Sequence, residues 1–346
     1  MADTARLCFI SEWLDPNSGV IWKYQLFYYP NTKEVEMVDI KNRRTFLKKT
    51  RYEDLRPELL FMGSTVVVFS RQLKIIDYGD EYTRRQLESS SERTLAMVKP
   101  DAFKNLGKIM NAISQSGFII SKLRVAKLSL AEAEEFYSWE DCCHGACGAF
   151  CHQEKAPNSL RAAFGTDGSY NAVHGSDAPD TAAQEVAFHF GPGRLLPGKC
   201  SLGRATSLLL IKPHLVADGA AGLVIDLLMD VFDVTALQQF TLDSASAVEF
   251  YEVYKGVLAA GELNAMVEEL TSGPCIAIEV ADRDGAECVE SLRQLAGPMD
   301  PELARVLRPQ SLRARFGLNK TRNGVHVTDL AEDGLLETSY FFTILQ

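Results

Sequence analysis

Residues 171–177 read Asn-Ala-Val-His-Gly-Ser-Asp, and residues 323–329 read Asn-Gly-Val-His-Val-Thr-Asp. The two stretches share Asn-x-Val-His and the final Asp, and they lie 152 residues apart. A stretch that recurs at a fixed separation indicates an internal repeat, in which one folding unit occurs twice. At about 100–200 residues per domain, the chain of 346 residues has room for both copies and for further sequence.

The separation between the copies is shorter in their N-terminal parts. Phe136 and Phe250 lie 114 residues apart, whereas Ser159 and Ser311 lie 152 apart, so the first copy lacks 38 residues. We place the first copy at 93–192, truncated near 139–158, and the second copy at 204–346. Between them, Gly191-Pro192-Gly193 and Pro197-Gly198 indicate a short linker.

The sequence pattern of each copy predicts alternating strands and helices. In the first copy, a strand at 94–98 ends at Lys99-Pro100, a helix closes at Gly117, and residues 118–128 form a second strand. Ser129 and Glu132 then form a capping box at the start of the next helix. The second copy follows the same order and adds a strand at 275–280 and a helix at 284–295. This order predicts an α/β sandwich with a ferredoxin-like sheet in each copy.

Residues 1–92 lie outside the repeat and predict a β-rich domain. Apolar and polar residues alternate over 22–28, a turn follows at 30–33, and alternation returns over 35–39, which is a hairpin pattern. Further strands are expected at 65–69 and 73–78. A compact antiparallel barrel or sandwich follows from these strands.

Composition narrows the class of protein. Hydrophobic residues make up 46% and charged residues 24% of the chain, which is typical of a globular protein. The net charge of −10 argues against a general nucleic-acid binder, because neutralising phosphates requires clustered Lys and Arg. The sequence also predicts no transmembrane helix and no secretory signal, so we expect no membrane partner and a cytosolic location.

Four of the eight cysteines crowd into one stretch, at Cys142, Cys143, Cys147 and Cys151. Together with His144 and His152 they offer zinc-ligand types. No Cys-x-x-Cys pair with a second, distant pair is present, however, and the adjacent Cys142 and Cys143 favour an irregular loop. We expect no protein metal site.

Several polar residues recur in both copies and suggest phosphate chemistry. A Lys just past a strand end and paired arginines can contact phosphate oxygens, and a His held by a carboxylate can attack phosphorus. Each residue alone is more often structural, so the hypothesis depends on their joint recurrence. In the second copy the set is Lys212, Tyr251, Arg293, Arg313, Asn323, His326 and Glu337.

These residues and their surroundings resemble the nucleoside diphosphate kinase family. The similarity is carried by Lys212-Pro213, by residues 312–316 (Leu-Arg-Ala-Arg-Phe), and by 171–177, which match the family signature Asn-x-x-His-Gly-Ser-Asp. The whole chain, apart from about 139–158, resembles a ciliary branch of the family. In that branch a β-rich, pleckstrin-homology-like (PH-like) DM-type domain precedes two kinase-like domains. The resemblance therefore implies a multidomain α+β and α/β protein in which the first of two ferredoxin-like sandwiches is truncated.

The resemblance also implies roles for residues of the second copy. His326 would be the phosphorylated nucleophile, and Glu337 would orient its imidazole. Nucleotide phosphates would contact Lys212, Arg293 and Arg313, with Tyr251 close by and Asn323 near the ribose. The family reaction is ping-pong: a nucleoside triphosphate phosphorylates the histidine, and a diphosphate then accepts the phosphoryl group. Mg²⁺ would bridge the phosphates of the nucleotide rather than occupy a protein site.

Departures from the family pattern put activity in doubt. In the second copy, His214 replaces the Asp of Lys-Pro-Asp, Val327-Thr328 replaces Gly-Ser, and Met299 stands near the position of a phosphate-contacting Thr. The first copy lacks counterparts of strand 275–280 and the Arg293 helix, so we expect it to be inactive. It nevertheless keeps Lys99, Tyr137, Arg161, Asn171, His174 and Glu185.

The strongest basic cluster comprises Lys41, Arg43, Arg44, Lys48, Lys49 and Arg51. It is either a solvated loop or a contact for an acidic partner, and the resemblance makes tubulin of a ciliary doublet microtubule the natural candidate.

The sequence and the resemblance together suggest two functions for the chain. In the first, the chain is a structural protein of the ciliary or flagellar axoneme, where it contacts tubulin and other axonemal proteins of the cytoskeleton. In the second, it is an active nucleoside diphosphate kinase. Sequence favours the first, since one copy is truncated and the other has lost contacts.

Overall fold

The structure is a computed structural model and describes residues 6–16, 18–88, 92–138, 159–191, 206–283 and 288–346. It forms two compact units. Unit 1 combines Met1–Glu92 with Thr241–Pro274, and unit 2 combines Arg93–Phe240 with Cys275–Gln346. The predicted linker residues beyond Gly191 and the cysteines at 142, 143, 147, 151 and 200 lie outside the described residues. Among the described residues, no helix has both the length and the apolar character of a membrane span.

Unit 1 contains a six-stranded antiparallel sheet in the order β4-β3-β2-β1-β6-β5, followed by one helix of the N-terminal segment and two helices of the later segment. The strands are β1 (Leu7–Leu14), β2 (Ile21–Tyr29), β3 (Glu34–Asp39), β4 (Arg44–Arg51), β5 (Thr65–Val68) and β6 (Arg71–Tyr78), and the N-terminal helix is α1 (Glu81–Glu88). The predicted hairpin is confirmed as β2–β3, in register from Tyr24↔Asp39 to Tyr29↔Glu34. The predicted strands at 65–69 and 73–78 are confirmed as β5 and β6.

The core of this sheet is built from alternating apolar residues. Phe9, Leu26, Met37 and Leu73 come from four different strands and are buried together. Burial of one face in this way gives each strand a period of two, which is why the alternation in the sequence located most of the strands. A short 3₁₀ turn, Pro57–Leu59, connects β4 to β5.

Strand β4 is not evident from the sequence pattern, which predicts a loop or a partner contact for its basic residues. The structure places Arg44–Arg51 at the edge of the sheet, where it pairs with β3. Seven of its eight residues are exposed, so no apolar alternation marks the strand. Basic side chains on an edge strand also hinder unwanted pairing with other chains.

Unit 2 holds both kinase-like sheets. Its elements in the first copy are β7 (Ala96–Val98), α2 (Leu106–Gln115), α3 (Leu130–Tyr137), α4 (Leu160–Phe164), β8 (Val173–Gly175) and α5 (Pro179–Phe190), with a 3₁₀ helix at Pro100–Asn105. In the second copy they are β9 (Thr206–Ile211), α6 (Pro213–Ala217), α7 (Ala221–Met229) and β10 (Phe232–Phe240). The chain then enters unit 1 for α8 (Ser244–Phe250), a 3₁₀ turn (Glu252–Tyr254) and α9 (Ala260–Leu270). It returns to unit 2 for β11 (Cys275–Asp282), α10 (Cys288–Ala296), α11 (Pro301–Leu307), α12 (Leu312–Phe316), β12 (Val325–Val327), a 3₁₀ turn (Ala331–Asp333), α13 (Gly334–Ser339) and a final π-helical turn (Tyr340–Ile344).

The second copy forms an antiparallel four-stranded sheet in the order β10-β11-β9-β12. Numbered within the copy, this order is 2-3-1-4, which is that of a ferredoxin-like sheet and confirms the predicted fold. The predicted strand at 275–280 is confirmed within β11. The helix predicted at 284–295 is observed from Cys288, and residues 284–287 lie outside the described part of the chain.

The described part of the first copy has a smaller sheet, in which β7 pairs with β8. Two local predictions are confirmed: Gly117 follows the helix with a φ of +86°, and Ser129 and Glu132 form the capping box. The prediction of a strand over 118–128 was wrong, because this segment has one isolated bridge, Arg124↔Gln238. A ladder needs a partner on at least one side along its length, and no described strand of the first copy provides it.

The two copies contact each other through equivalent elements. Helices α2 and α7 pack so closely that a Cβ on Gly107 would lie 2.3 Å from the backbone nitrogen of Asp226. A Cβ on Gly222 would lie 2.6 Å from the nitrogen of Asn111. Gly107 and Gly222 are 115 residues apart, as are Asn111 and Asp226. The contact is therefore reciprocal, like an isologous dimer interface within one chain.

Candidate active sites in the two kinase-like copies

In the second copy, a buried histidine is hydrogen-bonded to a glutamate. His326 lies on β12 opposite Leu210 of β9, and Glu337 lies on α13. The Nε2 atom of His326 is 3.2 Å from each carboxylate oxygen of Glu337. The imidazole side chain is 7% and the glutamate side chain 13% exposed, so the pair is shielded from most competing water. A carboxylate in this position fixes the ring and stabilises positive charge on it.

A threonine ties this pair to the sheet. The hydroxyl of Thr328 donates to Glu337 Oε2 at 2.8 Å and accepts from the backbone N–H of Leu208 at 3.0 Å. Thr328 is fully buried. Thr328 departs from the Ser of the family pattern but retains the hydroxyl. Its significance could have been found from the spacing of 152 residues between Ser176 and Thr328.

The three predicted cations each bond the backbone near His326. Lys212 follows β9, is 3% exposed, and donates from Nζ to Thr321 O at 2.8 Å. Arg313 of α12 donates from Nε and Nη2 to Val325 O, at 3.3 Å each, and from Nη1 to Gly297 O at 2.8 Å. Arg293 of α10 is exposed and donates to Asp329 O. All three therefore contact the neighbourhood of the segment 321–329 that carries the histidine.

Asn323 lies in the segment 321–329, which also carries His326. It is 1% exposed and its amide donates to Met299 O at 3.2 Å, so the backbone of Met299 is used although its side chain cannot bind phosphate. Asp333 lies close to Glu337 in the sequence. Burial of the Asp333 carboxyl group and the negative charge of Glu337 both raise the pKa of Asp333. Tyr251 is fully buried and belongs to unit 1, whereas the other six predicted residues belong to unit 2.

The first copy repeats the same hydrogen-bond network. His174 Nε2 is 3.1 Å from Glu185 Oε1, and both residues are buried. The hydroxyl of Ser176 donates to Glu185 Oε2 at 2.6 Å and accepts from the Leu95 N–H at 3.0 Å. Ser176 and Leu95 correspond to Thr328 and Leu208 of the second copy. The ring of Phe136 packs edge-on against His174 at a centroid distance of 5.4 Å.

The surroundings of the first histidine are less complete. Arg161 Nε donates to Val173 O at 3.0 Å, as Arg313 does to Val325 O, and Lys99 N donates to Ala172 O at 2.9 Å. Arg161 and Lys99 are only half-buried, and Asn171 donates to Gly168 O within its own loop. No described residue of this copy occupies the position of Arg293.

The remaining predicted residues lie elsewhere. The basic cluster is in unit 1, with Arg44, Lys48, Lys49 and Arg51 on β4 and Lys41 and Arg43 in the preceding turn. The cysteine-rich stretch lies outside the described residues. Within the described ranges, no group of three or more His, Cys, Asp or Glu side chains is arranged to hold a metal ion.

The repeated histidine–glutamate pair on a ferredoxin-like sheet, with three cations bonded around the second histidine, defines the class: the chain belongs to the nucleoside diphosphate kinase family. The family model described as nucleoside diphosphate kinase matches residues 92–143, 141–195 and 205–345. Residues 1–89 match a second model, the N-terminal PH domain of nucleoside diphosphate kinase 7. The predicted order of a PH-like domain and two kinase-like domains is thereby confirmed.

Among individual proteins, the chain is 45% identical to the nucleoside diphosphate kinase homolog 7 of Rattus norvegicus, over 98% of this chain and 93% of the relative. Identity to the protein of the same name in Mus musculus is 44%, with the same coverage. A solved structure of the Aquifex aeolicus nucleoside diphosphate kinase is 31% identical, and the match covers 40% of this chain and 96% of that one with a TM-score of 0.37.

Proposed function

We propose that the second copy transfers a phosphoryl group from a nucleoside triphosphate to a nucleoside diphosphate through His326. The observation that supports this most directly is the chain of hydrogen bonds from His326 to Glu337 and Thr328. Because Glu337 contacts Nε2, the reacting nitrogen would be Nδ1. Its lone pair would form a bond to the γ-phosphorus while the bond from phosphorus to the bridging oxygen breaks and the diphosphate leaves. A second diphosphate would then attack the phosphohistidine and regenerate the ring.

The three cations would serve charge neutralisation and positioning, which dominate phosphoryl transfer. Lys212 and Arg313 are held next to β12 by bonds to Thr321 O, Gly297 O and Val325 O, so their positive charges are placed before any ligand arrives. Arg293, which is exposed, would approach the phosphates from the solvent side. Asn323 would contact the ribose region. Polyphosphate carries several negative charges, so we also propose that Mg²⁺ enters with the nucleotide, bound by phosphate oxygens.

The first copy would retain the paired His174 and Glu185 without efficient transfer. Its hydrogen-bond network has the geometry of the second copy, but the cation at the Arg293 position has no described counterpart. Losing a charged hydrogen bond to a phosphate costs about 1.5–3 kcal/mol, which corresponds to a rate loss of tenfold or more.

Incubation with ATP labelled at the γ-phosphate tests this assignment. We expect acid-labile, base-stable label on the wild-type chain, and its loss in His326→Ala. The matched variant His174→Ala carries the same change in the other copy and is expected to keep the label. Chasing with an unlabelled diphosphate should release the label as triphosphate. If the wild type takes up no label, or if His326→Ala keeps it, the proposal fails.

We further propose that the chain binds doublet microtubules in the axoneme of cilia or flagella, through the basic residues of β4 and its preceding turn. On this edge strand, Lys49 pairs with Glu34 at 3.2 Å and Arg51 with Glu53 at 2.6 Å. Lys41, Arg43, Arg44 and Lys48 form no ion pair with any residue that the structure describes, and all are exposed. Such a row of cations complements an acidic surface such as that of tubulin.

Co-sedimentation with doublet microtubules tests this second proposal. Reversing the charges of Lys41, Arg43, Arg44 and Lys48 to Glu should weaken binding and reduce its sensitivity to salt. Arg85→Glu with Lys23→Glu changes exposed cations of the same unit off the strand, and it serves as the control. Equal loss of binding in both sets would indicate a general charge effect and contradict a specific role for β4.

A further inference from the structure

Among the described residues, the sheet of the first copy has no strand at the position that β11 occupies in the second copy, and we call this position the gap. In the second copy, β11 lies between β9 and β10 and pairs with both. The counterpart of β9 is β7, which pairs among the described residues with β8 alone. The counterpart of β10 is the segment 118–126, whose pairing in the described chain is one bridge to β10 itself. Strand β7 and the extended segment 118–126 therefore flank a position at which the described chain places no strand.

The backbone groups on both edges point into this gap. Leu95 O accepts from Ser176 N and Lys99 N donates to Ala172 O, so odd-numbered residues of this strand bond β8. Because hydrogen-bonding direction alternates along a strand, Ala96 and Val98 direct their N–H and C=O groups to the opposite side. On the other edge, Val125 N bonds Leu237 O and Leu123 O bonds Gln239 N. Lys122 and Arg124 therefore face the gap.

Between the two edges lies a cavity of about 530 Å³. Its apolar lining includes Leu106, Met110 and Ile113 of α2 and Leu160 of α4. Its charged lining consists of Arg93, Lys122 and Arg124, and no acidic residue is among the lining residues. The cavity thus combines apolar walls, two strand edges and an excess of positive charge.

Arg124 is the residue of this cavity best placed to bind an anionic group. Its Nε and Nη2 atoms are buried and have no hydrogen-bond partner among the described residues. Burial lowers the pKa of this guanidinium. Its Cζ atom lies 5.6 Å from the centre of the Phe190 ring, a contact weaker than an ion pair. Buried charges in proteins are normally paired, so an anion is expected here.

We propose that the gap is a binding slot for an extended segment of a partner protein, which adds a strand between β7 and residues 118–126 and places a carboxylate opposite Arg124. Strand β11 fills the equivalent position in the second copy and indicates what kind of segment fits there. Its residues 275–281 are all buried, and it runs antiparallel to both neighbours. In the second copy, Gln238, the counterpart of Arg124, pairs with Ala277. The partner strand is therefore apolar and carries Asp or Glu at the position that corresponds to Ala277. Main-chain hydrogen bonds would supply affinity, and the charge would supply specificity.

Peptides copied from β11 provide the probe. Fluorescently labelled peptides with the sequence of residues 274–282, Cys275→Ser and either Ala277→Glu or Ala277→Lys, are titrated against the full chain in an anisotropy experiment. We expect saturable binding of the Glu peptide at least about tenfold tighter than that of the Lys peptide, as for an attractive rather than repulsive charge pair. In the protein, Arg124→Glu should reverse this preference, and Lys108→Glu, an exposed change on α2 away from the cavity, should leave it unchanged.

A second variant tests the strand pairing itself. Ala96→Pro removes an N–H that faces the gap while leaving the hydrogen bonds to β8 in place, so it should weaken both peptides about tenfold or more. Thermal unfolding of each variant shows that the fold is retained. Absence of saturable binding to the wild type, or equal affinity for the Glu and Lys peptides, would overturn the proposal.

Discussion

The two kinase-like copies differ in their sheets but share one hydrogen-bond network. The second copy has four strands, and the described part of the first has two. Yet His174 with Glu185 and His326 with Glu337 have distances of 3.1 and 3.2 Å, and each glutamate is bonded by a hydroxyl that is anchored to a strand N–H. The first copy has therefore kept the geometry of the histidine–glutamate network, although its described sheet has fewer strands.

The strand order explains this separation. In β10-β11-β9-β12, the histidine strand β12 and the missing strand's counterpart β11 lie on opposite sides of β9. The network uses β9, β12 and α13 with Thr328, which follows β12, or β7, β8 and α5 with the adjoining Leu95 and Ser176 in the first copy. Losing the strand on the far side of β7 removes neither the histidine nor its carboxylate. The described residues of the first copy also contain no counterpart of α10, the helix that follows β11 in the second copy and carries Arg293.

The largest expected difference between the copies is in catalysis. Glu337→Gln keeps a hydrogen-bonding group beside His326 but removes the charge that stabilises the phosphorylated ring. We expect the rate of labelling from ATP to fall by about 10²-fold, a typical contribution of such a group. Glu185→Gln makes the same change beside His174 and should leave the rate of the whole chain almost unchanged. A larger loss from Glu185→Gln than from Glu337→Gln would show that the first copy is the active one.

The reciprocal helix contact provides the next largest effect, in stability. Gly107→Ala would place a methyl group against the backbone of α7, which cannot move as a flexible side chain can, and we expect a loss of about 3 kcal/mol in urea unfolding. Gly222→Ala should cost a similar amount, because the contact is symmetric. Gly261→Ala, on α9 with nothing within 4 Å of the added methyl, is the control and should stabilise by about 0.5–1 kcal/mol. Equal effects at all three sites would contradict the close approach.

Removing the anchoring hydroxyl should have a moderate effect in both copies. Thr328→Val leaves the Leu208 N–H and one oxygen of Glu337 without this partner, at an expected cost of about 1–3 kcal/mol in unfolding. Ser176→Ala should cost a comparable amount in the first copy. Thr328→Ser keeps the hydroxyl and should retain both the stability and the labelling rate. If Thr328→Ser is as damaging as Thr328→Val, packing of the methyl group matters as much as the hydrogen bonds, which would contradict a dominant role for the hydroxyl.

Sequence predicted those features whose physical cause is local. The hairpin β2–β3, the end of α2 at Gly117 and the capping box at Ser129 follow from short patterns. The pairing of histidine and glutamate follows from the family resemblance, and the repeat extends it to the first copy. Strand β4 could not be found, because pairing at a sheet edge requires no apolar alternation.

Other features depended on contacts between distant residues. Arg313 donates hydrogen bonds to Gly297 O and Val325 O, which the fold brings together from distant parts of the chain. The sequence therefore indicated the cationic residue but not the backbone groups that position it. Residues 118–128 have the composition of a strand. A strand also requires hydrogen-bonded partner strands along its length, and the described chain provides this segment with one isolated bridge. The closeness of Thr328 to Glu337 became visible only once β12 and α13 were placed.

A smaller effect is expected where the copies differ in backbone strain. Gly324 and Ala172 occupy equivalent positions and have φ angles of +91° and +66°. Gly324→Ala should destabilise the chain by about 1–2 kcal/mol, since left-handed backbone disfavours a Cβ. Ala172→Gly relieves that strain but loses a buried methyl worth about 0.8 kcal/mol, so its net effect should be close to zero. Unfolding midpoints in urea measure both changes, and a clear stabilisation by Gly324→Ala would contradict the observed φ angle.

The smallest expected effect concerns two aspartates with opposite shifts. Burial raises the pKa of Asp333 in the second copy, whereas backbone hydrogen bonds from Tyr170 and Ser169 lower the pKa of Asp167 in the first. A raised pKa means that folding is favoured while Asp333 is protonated, and this contribution is lost as pH rises through the folded pKa. Asp333→Asn should therefore raise the urea midpoint at pH 7 and leave it unchanged near pH 3, below the ordinary pKa of an aspartate.

For Asp167 the sign is reversed. The lowered pKa gives stability that is present above the ordinary pKa of an aspartate and is lost as pH falls through the folded pKa. Asp167→Asn should therefore lower the midpoint at pH 7 and have little effect at low pH. Measuring both variants at both pH values makes each the control of the other, because a general change in net charge would move them in the same direction. Shifts of the same sign at pH 7 would show that the local environments of these two carboxylates do not set their pKa values.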